Sequence, residues 1–110
     1  MLRIFEGRIV VVTGAASGIG LAMARRFAAE GMRLALGDIE ADSLRAAAEE
    51  LRSQGTEVLD REVDVSDEAS VGAFAEAVLA GWGAPHLLCN NAGVGGGWSP
   101  LWTATRKDWD

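Results

Sequence analysis

A short β-branched run, Arg8-Ile9-Val10-Val11-Val12-Thr13, leads directly into Gly14-Ala15-Ala16-Ser17-Gly18-Ile19-Gly20, and this glycine-spaced turn opens an amphipathic segment. A run so nearly all apolar suits a strand buried on both faces of a parallel sheet. After the turn, Ile19, Met23 and Phe27 recur at four-residue spacing while Arg25, Arg26 and Glu30 fall off that stripe, with Gly31 placed to close the helix. Each glycine has a separate steric task. Gly14 lets the chain leave the strand in a tight turn, Gly18 removes a Cβ that would hold a ligand away from the backbone, and Gly20 lets the helix lie close on the strand. The free amides and positive dipole end of the helix then form a site for an anion such as a pyrophosphate, to which Ser17 can add a hydroxyl donor.

The same alternation continues along the chain. Arg33 to Gly37 reads as a second strand ending at Asp38, and Leu44, Ala47, Ala48 and Leu51 mark a second helix with Gly55 at its C-terminal cap position. Glu57 to Val63 is a weaker, more polar strand that belongs at a sheet edge. Ser66 is expected to cap a third helix carrying Val71, Phe74, Val78 and Trp82. His86 to Asn90 is the fourth strand, followed by the glycine-rich loop Asn91 to Gly97. Strands separated by helices of this length imply βαβ crossovers in a parallel sheet. No internal repeat and no linker interrupts the pattern.

Three glycines in a chain with 14 of them can also be a flexible loop. Context argues for a dinucleotide site instead. The turn joins a buried strand to a helix, and Asp38 stands at the tip of the second strand, roughly 20 residues on, where a carboxylate accepts hydrogen bonds from ribose hydroxyls. Such a carboxylate repels the 2′-phosphate of NADP, and neither Ile39 nor Ser17 offers a compensating cation, so NAD is the expected cofactor. The alternative for Asp38 is a solvated turn residue. Asp64-Val65 closes the third strand where an adenine edge would lie, and Asn90-Asn91-Ala92-Gly93 ends the fourth at the ligand-binding edge of the sheet. Asn91 reads as structural.

Composition removes other classes. The formal charge of −6 and pI near 4.7 argue against nucleic acid, which needs clustered Lys and Arg. No apolar stretch approaches a membrane span, and the N-terminus lacks the pattern of a signal peptide. A single cysteine, Cys89, permits no intramolecular disulfide and fits a reducing compartment, so the cytoplasm is expected. Cys89 reads as a small core residue and His86 as a structural histidine, and no metal-ligand set is assigned. Trp98, Trp102 and Trp109 either line a substrate pocket or pack against further sequence.

Thr13-Gly14-x-x-x-Gly18-Ile19-Gly20, Asp38, Asp64 and Asn90-Asn91-Ala92-Gly93 together resemble the short-chain dehydrogenase/reductase family, along the whole chain and in order. The resemblance implies a Rossmann-type, doubly wound α/β fold with four parallel strands ordered 3-2-1-4, a nicotinamide cofactor, and interconversion of an alcohol and a carbonyl by hydride transfer. The cofactor contacts it implies are Gly14, Ser17, Gly18, Ile19, Gly20, Asp38, Asp64, Val65, Asn90, Ala92 and Gly93. It implies a homo-oligomer and a small alcohol or carbonyl substrate for the intact protein.

The departure from the family is as clear. The family's chemistry rests on a Tyr-x-x-x-Lys pair and an upstream Ser, yet this chain has no tyrosine, its only lysine is Lys107, and no serine follows Ser99. No catalytic residue is therefore assigned. Thr105-Arg106-Lys107-Asp108 has the spacing of a helix start, and one turn cannot support itself. Residues 1–110 are thus expected to be the N-terminal part of one domain, with no second domain, in a chain that reads as cut. On that reading Leu87-Leu88-Cys89 becomes an exposed apolar edge, prone to aggregation or to pairing with a second chain. The alternative is a non-catalytic module that binds NAD or pairs with another subunit.

Overall fold

The computed structural model describes residues 5–91. Three helices alternate with four strands: β1 (Ile9–Thr13), α1 (Gly18–Ala29), β2 (Arg33–Asp38), α2 (Ala41–Ser53), β3 (Val58–Glu62), α3 (Glu68–Trp82) and β4 (Leu87–Asn90). All three strand pairings are parallel, and the sheet order is β3-β2-β1-β4. This is the expected 3-2-1-4 order. The register sets Val12 beside Leu36 and Cys89, and Thr13 beside Gly37 and Asn90, so the carboxyl ends of three strands finish level with one another.

The two-residue period of a strand explains why the sheet is covered on both sides. Val10, Val12, Leu34 and Leu36 point to one face, where they pack with Ala24 of α1 and Leu44 and Leu51 of α2. Ile9, Val11 and Ala35 point to the other, against Val71, Phe74 and Val78 of α3. Every residue of β1 is buried, which is why this strand reads as an unbroken apolar run. Burying each of these valines contributes about 1.5–3 kcal/mol, from transfer alone.

Boundaries differ from the sequence expectation by a residue at most strand ends. Arg8, Glu57, Val63 and His86 flank strands instead of belonging to them, although Val63 is still buried. One capping assignment is corrected. The N-cap of α3 is Asp67, whose side chain accepts the Ala69 N–H at 3.0 Å. Ser66 is drawn away because its own N–H and hydroxyl both donate to Asp64 Oδ1. Gly31 and Gly55 follow α1 and α2 as expected. Within the described residues β4 is an edge strand, so Leu87 is exposed and Cys89 only half-buried against the first face. The loop after Asn91, the three late tryptophans and the helix start at Thr105 lie outside the described residues.

Candidate functional site

At the carboxyl ends of the strands a cleft of about 510 Å³ opens between the glycine turn, the tip of β2 and the segment after β3. Parallel strands all deliver their following loops to this edge, so residues distant in sequence meet there. Gly14 and Gly18 have φ of 65° and 57°, the left-handed region that disfavours a side chain. A Cβ on Gly18 would meet no protein atom within 4 Å, so the space in front of it is open to a ligand. Gly20 is constrained differently. A Cβ there would lie 1.9 Å from the Gly14 carbonyl oxygen, so only glycine allows α1 to sit this close to the turn.

Ser17 is the extended N-cap of α1 and makes no side-chain cap bond, leaving its exposed hydroxyl at the cleft. The Leu21 N–H donates to the Ser17 carbonyl, so the amides of Gly18, Ile19 and Gly20 precede the helical ladder, as first-turn amides must. No acidic side chain lies in that first turn. The positive end of the dipole therefore stays available to an outside anion.

Asp38 is held firmly. Its Oδ2 accepts the Ala16 N–H and its Oδ1 accepts the Glu40 N–H, each at 2.9 Å. Each carboxylate oxygen retains a second acceptor position, so a fixed and still receptive carboxylate stands beside the glycine turn. Asp64 is similarly oriented by Ser66 at 2.6 and 3.0 Å, while its own N–H donates to Ser70 Oγ. The Ser66 hydroxyl bond, then the Ser66 amide, hold the Asp64 carboxyl below the ordinary aspartate range. Among the described residues, no Lys or Arg lines the cleft.

Of the residues expected at the site, Gly14, Ser17, Gly18, Ile19, Gly20, Asp38, Asp64 and Val65 line this one cleft. Asn90 is not in that lining; it stays exposed at the end of β4, where its Oδ1 accepts the hydroxyl of the buried Thr13 at 2.8 Å. Ala92 and Gly93 lie outside the described residues. Asn91, read as structural, does donate from Nδ2 to Met23 Sδ at 3.4 Å, and it also borders the cleft. Among the described residues, Ile39, Val63 and Ser66 also line it, none of them expected there as a cofactor contact. Ile39 had a usable signal, an apolar side chain in a loop; with Ile19 it is among the large apolar residues left exposed.

His86 accepts the Ile9 N–H through Nδ1 and is accordingly structural. Burial pushes the Cys89 thiol above its ordinary pKa, which suppresses the nucleophilic thiolate. A second cleft, about 550 Å³, opens at the amino ends of the strands beside Ala28, Gly31, Gln54 and Gly55. It faces the C-terminal ends of α1 and α2, where the dipoles are negative, and is the wrong end for a phosphate.

Comparison with known proteins agrees with this geometry. The model of the short chain dehydrogenase family matches residues 8–110. The uncharacterized oxidoreductase YxbG of Bacillus subtilis is 44% identical over 89 residues, which are 81% of this chain and 33% of YxbG. A short chain dehydrogenase/reductase from Burkholderia phymatum, solved in complex with NAD, is 35% identical with a TM-score of 0.82, covering 99% of this chain and 43% of that one. L-Sorbose reductase from Gluconobacter frateurii, complexed with NADPH and L-sorbose, is 32% identical with a TM-score of 0.83, covering 99% and 47%. The chain thus spans about a third of the curated relative's length and less than half of either solved structure. With the glycine turn, the doubly covered parallel sheet and a family match over nearly its whole length, this chain belongs to the short chain dehydrogenase family.

Proposed function

We propose that residues 1–110 are the N-terminal, cofactor-binding part of an NAD-dependent oxidoreductase that interconverts an alcohol and a carbonyl. The observation that carries this reading is the convergence on one cleft of unladdered helix amides, open space at Gly18, and the fixed Asp38 carboxylate. Gly14, Ser17, Gly18, Ile19 and Gly20 would hold the pyrophosphate, with Asp38 on the adenosine ribose and Asp64 and Val65 at the adenine edge. Asn90, Ala92 and Gly93 would line the approach to the nicotinamide. Bound there, the nicotinamide supplies a hydride acceptor or donor.

NAD is preferred over NADP on electrostatic grounds. The 2′-phosphate would be brought to Asp38 in a cleft whose described lining carries no cation. NAD-bound and NADPH-bound relatives both exist, so this preference rests on Asp38 itself. Because the chain contains no tyrosine, the proton-transfer residues of the reaction would come from other sequence, and these 110 residues alone would not turn over substrate. A cytoplasmic homo-oligomer is the setting we infer for the intact protein.

Calorimetric titration with NAD and NADP, for the natural chain and Asp38→Ala, tests the reading. Saturable NAD binding that is tighter than NADP binding, with the difference lost in Asp38→Ala, is the expected result. Binding of neither nucleotide by protein shown to be folded would contradict it.

A further inference from the structure

Asp38 is bonded to the turn that it faces. Its Oδ2 accepts the Ala16 N–H at 2.9 Å, and one residue earlier in each segment the Ala15 N–H donates to the Gly37 carbonyl at 3.3 Å. Two successive amides of the glycine turn are therefore fastened to two successive residues at the tip of β2. Both alanines are buried, and Ala16 is only 8% exposed. Water is thus a poor substitute acceptor, and a buried donor left without a partner is costly. The other oxygen, Oδ1, accepts the Glu40 N–H at 2.9 Å, one residue before α2 begins. One carboxylate so ties the approach to α1 to the approach to α2.

The position of Ala16 gives that bond its reach. Ala16 lies midway between Gly14 and Gly18, whose φ values are 65° and 57°. A segment with glycine at both hinges has many other conformations open to it, and only some of them keep the Gly18, Ile19 and Gly20 amides at one cleft. A hydrogen bond to a charged acceptor is a strong way to hold one of these.

We propose that Asp38 is a positioning residue for the diphosphate as well as a partner for the ribose: its carboxylate fixes the glycine turn in the conformation that presents the helix amides to the anion. This rests on the cleft being an NAD site and gives Asp38 a second task, performed before any nucleotide arrives. The two effects of the carboxylate on a diphosphate have opposite signs. Repulsion between like charges means that a chain without it binds the diphosphate more tightly; loss of the fixed turn means that it binds more weakly.

An NAD analogue lacking both hydroxyls of the adenosine ribose separates the tasks, because it keeps the diphosphate and offers Asp38 no hydroxyl to bind. In calorimetric titrations of the natural full-length protein and of Asp38→Ala, both shown by circular dichroism to be folded, the variant should bind the analogue about tenfold more weakly. A carboxylate that served stability alone would lower the melting midpoint and leave this affinity unmoved. Equal or tighter binding by the variant, with NAD still bound by the natural protein, would overturn the positioning role and leave the NAD site intact. Binding of neither NAD nor the analogue by the natural protein would remove the NAD site and this role with it. Should Asp38→Ala not fold, hydrogen exchange in the natural protein without nucleotide decides. An Ala16 amide protected well beyond the Gly18 amide is expected; one that exchanges as fast as Gly18 overturns the proposal.

Discussion

Gly20 carries no functional atom beyond its backbone, yet the whole site depends on its missing side chain. A Cβ at this position would meet the Gly14 carbonyl oxygen at 1.9 Å and its carbon at 2.7 Å. Both atoms are backbone, so relief requires moving the turn and not a rotamer. Gly20→Ala should therefore destabilise the protein by about 2 kcal/mol or more and abolish NAD binding. Thermal melts and titration check this, and an alanine variant of unchanged midpoint and affinity would count against the packing account. Gly18 obeys another logic, since its Cβ would meet only open space.

Asp64 gives a prediction in pH at the same scale. Its carboxyl is held below the ordinary value of 3.8, first by the Ser66 hydroxyl and then by the Ser66 amide. A depressed carboxylate stabilises the fold above the unfolded pKa and loses that contribution as pH falls through the lower folded value. Removing the hydroxyl in Ser66→Ala should move the Asp64 titration upward toward the ordinary value, read by carboxyl NMR. No movement would show that Ser66 does not set it. Glu50, held low by its hydrogen bond from Arg25, has the same sign, but that pair is exposed and adds little.

Among the elements, the start of α3 shows where sequence reading reached its limit. Ser66 and Asp67 are both good N-caps by type, and the choice between them is made by Asp64, which takes both Ser66 donors. That competition is not written in the spacing. Asp67→Ala should cost about 1 kcal/mol, while Ser66→Ala should leave α3 nearly as stable; chemical denaturation distinguishes them, and the reverse ranking would restore Ser66 as the cap. The edge strand β3 was legible because its polar residues could not be interior. Its edge is managed by Arg52, which reaches from α2 to the Val58 carbonyl at 2.8 Å and to Asp60 at 2.6 Å.

Over the whole molecule, strand order and the meeting of the glycine turn with Asp38 were legible, because alternation of buried strand and helix leaves few ways to wind a parallel sheet. What pattern could not supply was the lateral detail. Asn90 falls at the carboxyl edge in sequence, but the bond its Oδ1 accepts from the Thr13 hydroxyl follows from the pairing of β4 with β1. Ile39 and Val63 join the lining through the level ends of β2 and β3, a feature of register and not of local sequence.

Among the described residues, two clefts of similar size lie at opposite ends of one sheet, and helix polarity separates them. Mapping backbone amide shifts during NAD addition tests that assignment most directly. The account predicts perturbations centred on Gly18, Ile19, Gly20, Asp38 and Val65, with little change at Gly31 and Gly55. Shifts centred on Gly31 and Gly55, or none at saturating NAD in the folded protein, would contradict it.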